Sequence, residues 1–312
     1  MILRTAADGL SAIRRYSLQG GEQILMKKNK IGILLVLMLF IGICVLLYPS
    51  VSQYWNSKTQ TRAVENYREI LDSLQPEDYD AFFEEAANYN VALYELKFPL
   101  TDYYKLNGYK DILDVSKTGI MGYVSIPKLG VELPLHHGIS AEVLNVACGH
   151  LEGTSFPIGG NNTHSVLSAH RGLPHAKLFT ELDKMEVGDT FTITVLNRTV
   201  TYQVDQIKVV LPSETNDVQI VEGEDLCTLL TCTPYGINSH RLLVRGKRIE
   251  NAAPILYVTS NAYRIDSLVA TPVVAAPMLL ILLIVLMIKY RDKGSKPLIS
   301  KEEEEWLKEE WQ

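Results

Sequence analysis

Eighteen consecutive residues without a charge, Ile31 to Tyr48, constrain this chain more than any other feature. At about 1.5 Å per residue, a helix of that length spans roughly 27 Å, close to the hydrocarbon thickness of a bilayer. A second uncharged run, 267–288, is densest from Met278 to Ile288 and holds Pro272 and Pro277, which a spanning helix tolerates near one end. Residues 1–30 carry six Lys/Arg against two acids, and Lys289, Arg291, Lys293 and Lys296 follow the second run with only Asp292 opposing them. Positive charge marks the cytoplasmic side, so both termini are expected inside and the middle outside. That middle, 49–288, holds 18 Lys/Arg and 27 Asp/Glu, a net of −9, which leaves no electrostatic footprint for nucleic acid. A basic stretch before an apolar run also fits a signal peptide, but this run exceeds a typical h-region and Tyr48-Pro49-Ser50-Val51-Ser52 is a poor cleavage site. A retained anchor is expected. Met26 before Lys-Lys-Asn-Lys would make a natural start, which would make 1–25 an over-extended beginning.

The four cysteines do not form a disulfide framework. Cys44 lies in the first span, leaving Cys148, Cys227 and Cys232 outside, an odd number. Cys227 and Cys232 are five apart on an extended run and point to opposite faces. Cys232 ends the strand-like run Leu226 to Thr231; Pro234, Tyr235, Gly236 and Asn238 then break the chain before a second run, Leu242 to Val244. A thiol therefore ends one strand, and Arg241, nine positions on, begins the next. Taken alone, a cysteine in an apolar strand is inert packing. An always-charged planar fork beside a reachable thiol, however, suits the stabilisation of an oxyanion or a peptide carbonyl.

Apolar and aromatic residues recur with helical spacing over 57–96, with Pro76 interrupting, which predicts a helical hairpin or stalk. Residues 97–119 lack a period and read as a long aromatic loop. From Ile120 short strands alternate with turns. Strands are expected at Gly122–Ile126, Val131–Leu135, His164–Ala169, Thr190–Leu196, Thr199–Val210, Val218–Val221, Asp225–Thr231 and His240–Arg248, with a short helix at Leu178–Met185. Many short strands and few helices predict a mainly β fold, a compact barrel or sandwich. The seven histidines show no metal signature, so neither a metal nor a cofactor is expected; His164 and His170 share a face of one strand, which leaves a two-His metal site as the lesser alternative. His170 ends its strand as Cys232 ends another, and a Cys with a His from elsewhere in the fold is the working pair of thiol catalysis. His240, beside Arg241 on the far side of the turn, is its competitor.

The run TLLTCTPYGINSHRLLVRGKR resembles the catalytic signature of sortases, specifically the class C, pilus-building sortases. MGYVSIPKLGVELPLHHG, GHLEGTSFPIGG and VLSAHRGLPHAKLFTELDKMEVGD resemble that family's other core stretches in the right order, covering roughly 120–250. The resemblance implies an eight-stranded sortase-type β-barrel with an N-terminal helical extension and two flanking transmembrane helices. It implies Cys232 as nucleophile, His170 as acid/base partner and Arg241 as the oxyanion or substrate-positioning residue. The implied layout is a cytoplasmic tail (1–30), a span (31–48), a helical extension with a lid-like loop (49–119), the barrel (120–250), a linker (251–266), a second span (267–288) and a cytoplasmic tail (289–312).

The implied reaction cleaves a Leu-Pro-x-Thr-Gly-like sorting motif after Thr, holds the acyl group as a thioester, and passes it to a Lys amine of the next pilin subunit on a Gram-positive surface. The expected partners are thus pilins or surface proteins bearing that motif, an acceptor Lys or cell-wall amine, and the membrane. The Asp-Pro-aromatic tripeptide of the class C lid is missing, and Phe98-Pro99-Leu100-Thr101-Asp102-Tyr103-Tyr104 stands in its region; either the lid is built differently, with Tyr103 or Tyr104 filling the cleft, or it is absent, and no lid residue is assigned. Two alternatives stay open: a cysteine hydrolase or housekeeping-type wall-anchoring sortase with the same residues, and a non-catalytic anchored scaffold.

Overall fold

Eight strands close on themselves without leaving an edge. The computed structural model describes residues 2–73, 75–251, 275 and 277–285. The strands are β1 (Ile120–Ile126), β2 (Val131–His137), β3 (Cys148–His150), β4 (Thr163–Ser168), β5 (Thr190–Val195), β6 (Arg198–Val210), β7 (Asp225–Thr233) and β8 (His240–Ile249). They form a closed barrel in the order β1-β2-β3-β4-β7-β8-β6-β5. β2–β3 and β4–β7 are parallel and the other pairs antiparallel. Closure satisfies every strand's backbone within the sheet, so pairing register becomes the main variable that positions side chains. Inward-pointing Met121, Leu135, Leu167, Phe191, Ile193, Tyr202, Cys227, Leu229 and Val244 fill the barrel and are essentially inaccessible to water.

Residues 49–263 form one compact unit; residues 1–48 and 264–312 form another. A helix, α1 (Ile2–Asp72), contains a stretch within Leu37–Asp72 long and apolar enough to cross a membrane. Of the second expected span, 277–285 are helical with exposed apolar side chains, and the rest lies outside the described residues apart from residue 275.

In the barrel unit the helical extension is part of the core. Tyr67 of α1 is buried, donates to the Met121 carbonyl at 2.8 Å and accepts from the Leu196 amide at 3.0 Å, tying the helix to β1 and to the β5–β6 turn. From α2 (Pro76–Tyr94), Asn90 makes two bonds to the Phe156 backbone, accepting from its amide at 2.7 Å and donating to its carbonyl at 3.1 Å. Both residues satisfy backbone groups that the barrel alone would bury unpaired.

Three local expectations change. The 97–119 segment holds a short helix, α3 (Pro99–Asp102), and a 3₁₀ turn, Tyr103–Lys105. Of the expected helix at Leu178–Met185 only a 3₁₀ turn, Leu182–Lys184, forms. Leu178 has a positive φ of 40° and the Phe179 amide is committed to the His170 carbonyl at 3.1 Å, so no helix can start there. The expected strand Val218–Val221 is instead a 3₁₀ turn, Asn216–Val218, followed by irregular chain. The closed ladder leaves that segment no strand to pair with, and it lies against the outer surface.

Tyr67→Phe should destabilise the protein by about 1–3 kcal/mol, because it strands the buried Leu196 amide while changing little volume. A denaturation midpoint indistinguishable from wild type would show that the tie between helix and barrel is not structural.

Candidate active site

Cys227 and Leu229 of β7 enter the barrel core, so Thr228, Leu230 and Cys232 face outward. The same alternation on β8, with Leu242 and Val244 inside, turns Arg241 and Leu243 outward. On β4, Leu167 and then Ala169 point inward, leaving Val166, Ser168 and His170 outside. Register then aligns the ends of these strands. Cys232 is paired with Arg241 across β7–β8, and directly opposed residues bring their Cβ atoms to about 5 Å.

The parallel β4–β7 ladder runs from Thr163↔Asp225 to Ser168↔Leu230. At the strand end the Ala169 amide donates to the Leu230 carbonyl at 3.2 Å, completing the last pair, and the Thr231 hydroxyl donates to the Ala169 carbonyl at 2.8 Å. Extending the same register by two residues opposes His170 to Cys232, strand axes being roughly 4.8 Å apart. His170, Cys232 and Arg241 thus form one outward-facing row across three neighbouring strands. His240 pairs with Thr233, so it belongs to the opposite face and is not in the row.

Burial separates the thiols. Cys148 and Cys227 are fully buried, and loss of hydration raises the pKa of each far above the ordinary thiol value. Cys232 is half-buried. The His170 pKa is lowered by partial burial, so near neutral pH its ring is mainly the free base. No described residue hydrogen-bonds that ring. Arg241 spends Nη1 on the Asn238 and His240 carbonyls, both at 3.1 Å, which orient the guanidinium; Nε and Nη2 have no acceptor among the described residues.

The loop after His170 is held from two sides. Tyr235, in the β7–β8 connection, lays its ring on Gly172 so closely that a Cβ there would come within 2.2 Å of it, and donates to the Gly172 carbonyl at 3.2 Å. From α1, Asn56 donates to the His175 carbonyl at 2.7 Å and Gln53 to that of Pro174 at 3.4 Å.

Below the row runs an apolar strip that the sequence did not single out. Val166, Val210, Val218 and Leu243 form a cluster separate from the barrel core, with Leu230, Leu151 and Leu100 against it. Val218 belongs to the β6–β7 connection, 211–224, which therefore walls the strip. Leu100 comes from α3, which rests on Gly153: a Cβ there would lie 3.0 Å from the Leu100 Cα and from the Tyr103 ring. Tyr104 is 70% exposed, so the expectation that it fills the cleft does not hold. The α3 side chain that lies on this strip is Leu100.

Residues 124–249 match the Sortase domain family. The fold is shared with sortase C1 of Streptococcus agalactiae, 47% identical with a TM-score of 0.56, over 61% of this chain and 100% of that one. It is shared too with sortase C of Streptococcus pneumoniae, 44% identical with a TM-score of 0.56, over 62% and 100% of the two chains. This chain belongs to the sortase family, within its class C. Sortase C of Clostridium perfringens SM101 is 38% identical over 61% of this sortase and 99% of its own chain, with a TM-score of 0.52. Sortase D of Bacillus subtilis is 28% identical over 131 residues, 41% of this sortase and 63% of its own length. For sortase A of Streptococcus agalactiae serotype III the figures are 26% over 117 residues, 36% and 47%. This sortase therefore spans about two thirds and half of those two curated relatives.

Iodoacetamide applied to the folded protein at neutral pH should alkylate Cys232 and spare Cys148 and Cys227 until denaturant is added. Modification of either buried thiol at a rate like that of Cys232 would contradict the separation by burial.

Proposed function

We propose that the protein is a membrane-anchored transpeptidase that joins pilin subunits through an acyl-enzyme on Cys232. The supporting observation is the row of His170, Cys232 and Arg241 at the ends of β4, β7 and β8. In this reading neutral His170 takes the proton of the Cys232 thiol, and the thiolate attacks the Thr carbonyl carbon of a Leu-Pro-x-Thr-Gly-like motif. The oxyanion that develops lies against the unoccupied donors of Arg241, where a fixed charge needs no reorganisation. Imidazolium at His170 gives its proton to the departing Gly amine, the C–N bond breaks, and a thioester remains. A Lys amine of the next subunit then attacks the thioester, His170 takes the surplus proton, and the thiolate leaves.

The apolar strip suits the donor's apolar residue, since a leucine side chain, Leu100, already lies against it. In this reading α3 works as the lid-like element, with Leu100 rather than a tyrosine competing for the strip. From Tyr109 onward the segment is structural, because Ile112 and Leu113 are buried in the core; a point substitution therefore tests the lid better than a deletion does. The division proposed from the sequence, with spans at 31–48 and 267–288, both tails inside and the catalytic unit outside, would put enzyme and anchored substrate on one membrane face. Sharing a surface raises their effective concentration.

The test incubates the protein with a Leu-Pro-x-Thr-Gly peptide and a Lys-bearing pilin fragment and follows products by mass spectrometry. A thioester on Cys232 that passes to the Lys is expected. Cys232→Ala should abolish it, and His170→Ala or Arg241→Ala should slow it about 10²-fold or more. Leu100→Ser should raise kcat/KM for the peptide. A thioester resolved only by water, with the Lys fragment present, would favour the hydrolase; no adduct in wild type or in Leu100→Ser would overturn the reading.

A further inference from the structure

The wall of the strip, 211–224, has one buried attachment to the barrel at mid-length. His164 of β4 is only 1% exposed, yet it is polar, faces outward and is not in the catalytic row. Its Nδ1 lies 2.7 Å from the Gln219 carbonyl in the wall, and its Nε2 lies 2.8 Å from the Thr228 hydroxyl on β7, four residues before Cys232. A carbonyl only accepts, so Nδ1 carries the hydrogen, and Nε2 accepts from Thr228. Burial holds the ring in this neutral form, its pKa pushed down to about 4. The neighbouring residue Val218 is the one the wall inserts into the strip.

At its far end the wall is held by the backbone of buried Thr163, whose amide donates to the Glu224 carbonyl at 3.2 Å, and its side-chain attachments elsewhere are at the surface. Asp217 receives Lys208 at 2.5 Å and Gln206 at 3.0 Å, and the Gly223 amide donates to Asn162 at 2.6 Å. Exposed ion pairs of the Lys208 kind hold little. A buried imidazole that satisfies a wall carbonyl on one side and a strand hydroxyl on the other holds its partners at fixed separation, because breaking either bond leaves a desolvated group unpaired.

We infer that His164 is a positioning residue that sets the wall 211–224 against the outer face of β4 and β7, and so fixes the width of the strip that receives the acyl donor. The inference rests on the proposed reading of that strip as the donor's floor. It locates part of donor recognition in a side chain that touches neither donor nor thiol. Its signature is an effect on KM with little on the chemical step.

The two ring nitrogens can be tested separately. Asn at 164 places an amide nitrogen near the position of Nδ1 and keeps the donor to Gln219. Gln reaches the position of Nε2 and keeps a partner for Thr228, but leaves the Gln219 carbonyl without a donor. His164→Asn should hold KM for the sorting peptide within about twofold of wild type, and His164→Gln should raise it about tenfold at unchanged kcat, the value of one buried hydrogen bond. Lys208→Ala should leave KM unchanged.

Hydrogen exchange at the amides of 216–221, read without peptide, should speed up in His164→Gln and stay near wild type in His164→Asn. Equal exchange in the two variants, or equal KM changes in both, would overturn the inference, as would a fall in kcat at constant KM. Should wild type form no thioester, the transpeptidase reading fails on its own, while the exchange measurement still decides whether His164 pins the wall.

Discussion

The structure depends on the register of three adjacent strands. In a closed barrel a strand cannot slip by one residue without turning all its side chains to the other face, and here such a slip would expose Cys227, Leu229 and Val244. The hydrophobic interior therefore fixes the pairing of β4, β7 and β8, which opposes Cys232 to Arg241 and, when the β4–β7 register is extended two residues beyond its last pair, to His170. The core is what aligns the reactive groups, and no polar contact between the three side chains is needed to bring them together. Among the described residues this leaves the imidazole ring and two of the guanidinium's nitrogens without partners, open to groups that arrive with a substrate.

Around that row the chain supplies rigidity from outside the barrel. Tyr67 and Asn90 bring the helical extension into the same core, and Asn56 with Gln53 reaches the loop that follows His170. Tyr235 braces that loop from the β7–β8 side. The histidine end of the row is thus held between α1 and the connection that carries Arg241, and the strip beneath is bounded by a wall tied down at His164. The two ends of the site differ in kind: the row is set by sheet register, and the strip by loops lying on a finished sheet.

That difference explains what the sequence made legible. Cys232, His170 and Arg241 could be picked out because each sits where an apolar run meets a breaker, and the nine-residue spacing from Cys232 to Arg241 fits a tight return. A mainly β fold, barrel or sandwich, was legible from alternation and turns, and the resemblance to sortases chose the barrel. The wall was not: Val218 to Val221 has the composition of a strand, and only closure of the ladder shows that no neighbour remains for it. Leu100 was hidden because its role depends on α3 resting on Gly153, a contact 53 positions away in the chain. His164 was legible only as a histidine sharing a strand face with His170, and its tie to the wall was hidden for a chemical reason. A buried histidine with both nitrogens satisfied carries no spacing signature, and its partners, a backbone carbonyl and a threonine, are silent in sequence.

The central claim is the row itself, and cysteine cross-linking tests it most directly. A disulfide needs Cα atoms about 4.4–6.8 Å apart and Cβ atoms turned toward each other; neighbouring strands meet the first condition, and residues on opposite faces fail the second. Under mild oxidation, His170→Cys and Arg241→Cys should each form a disulfide with Cys232, seen by peptide mapping without reduction, whereas His240→Cys should not. A disulfide to Cys232 from position 240, or none from position 170, would contradict the register on which the account stands.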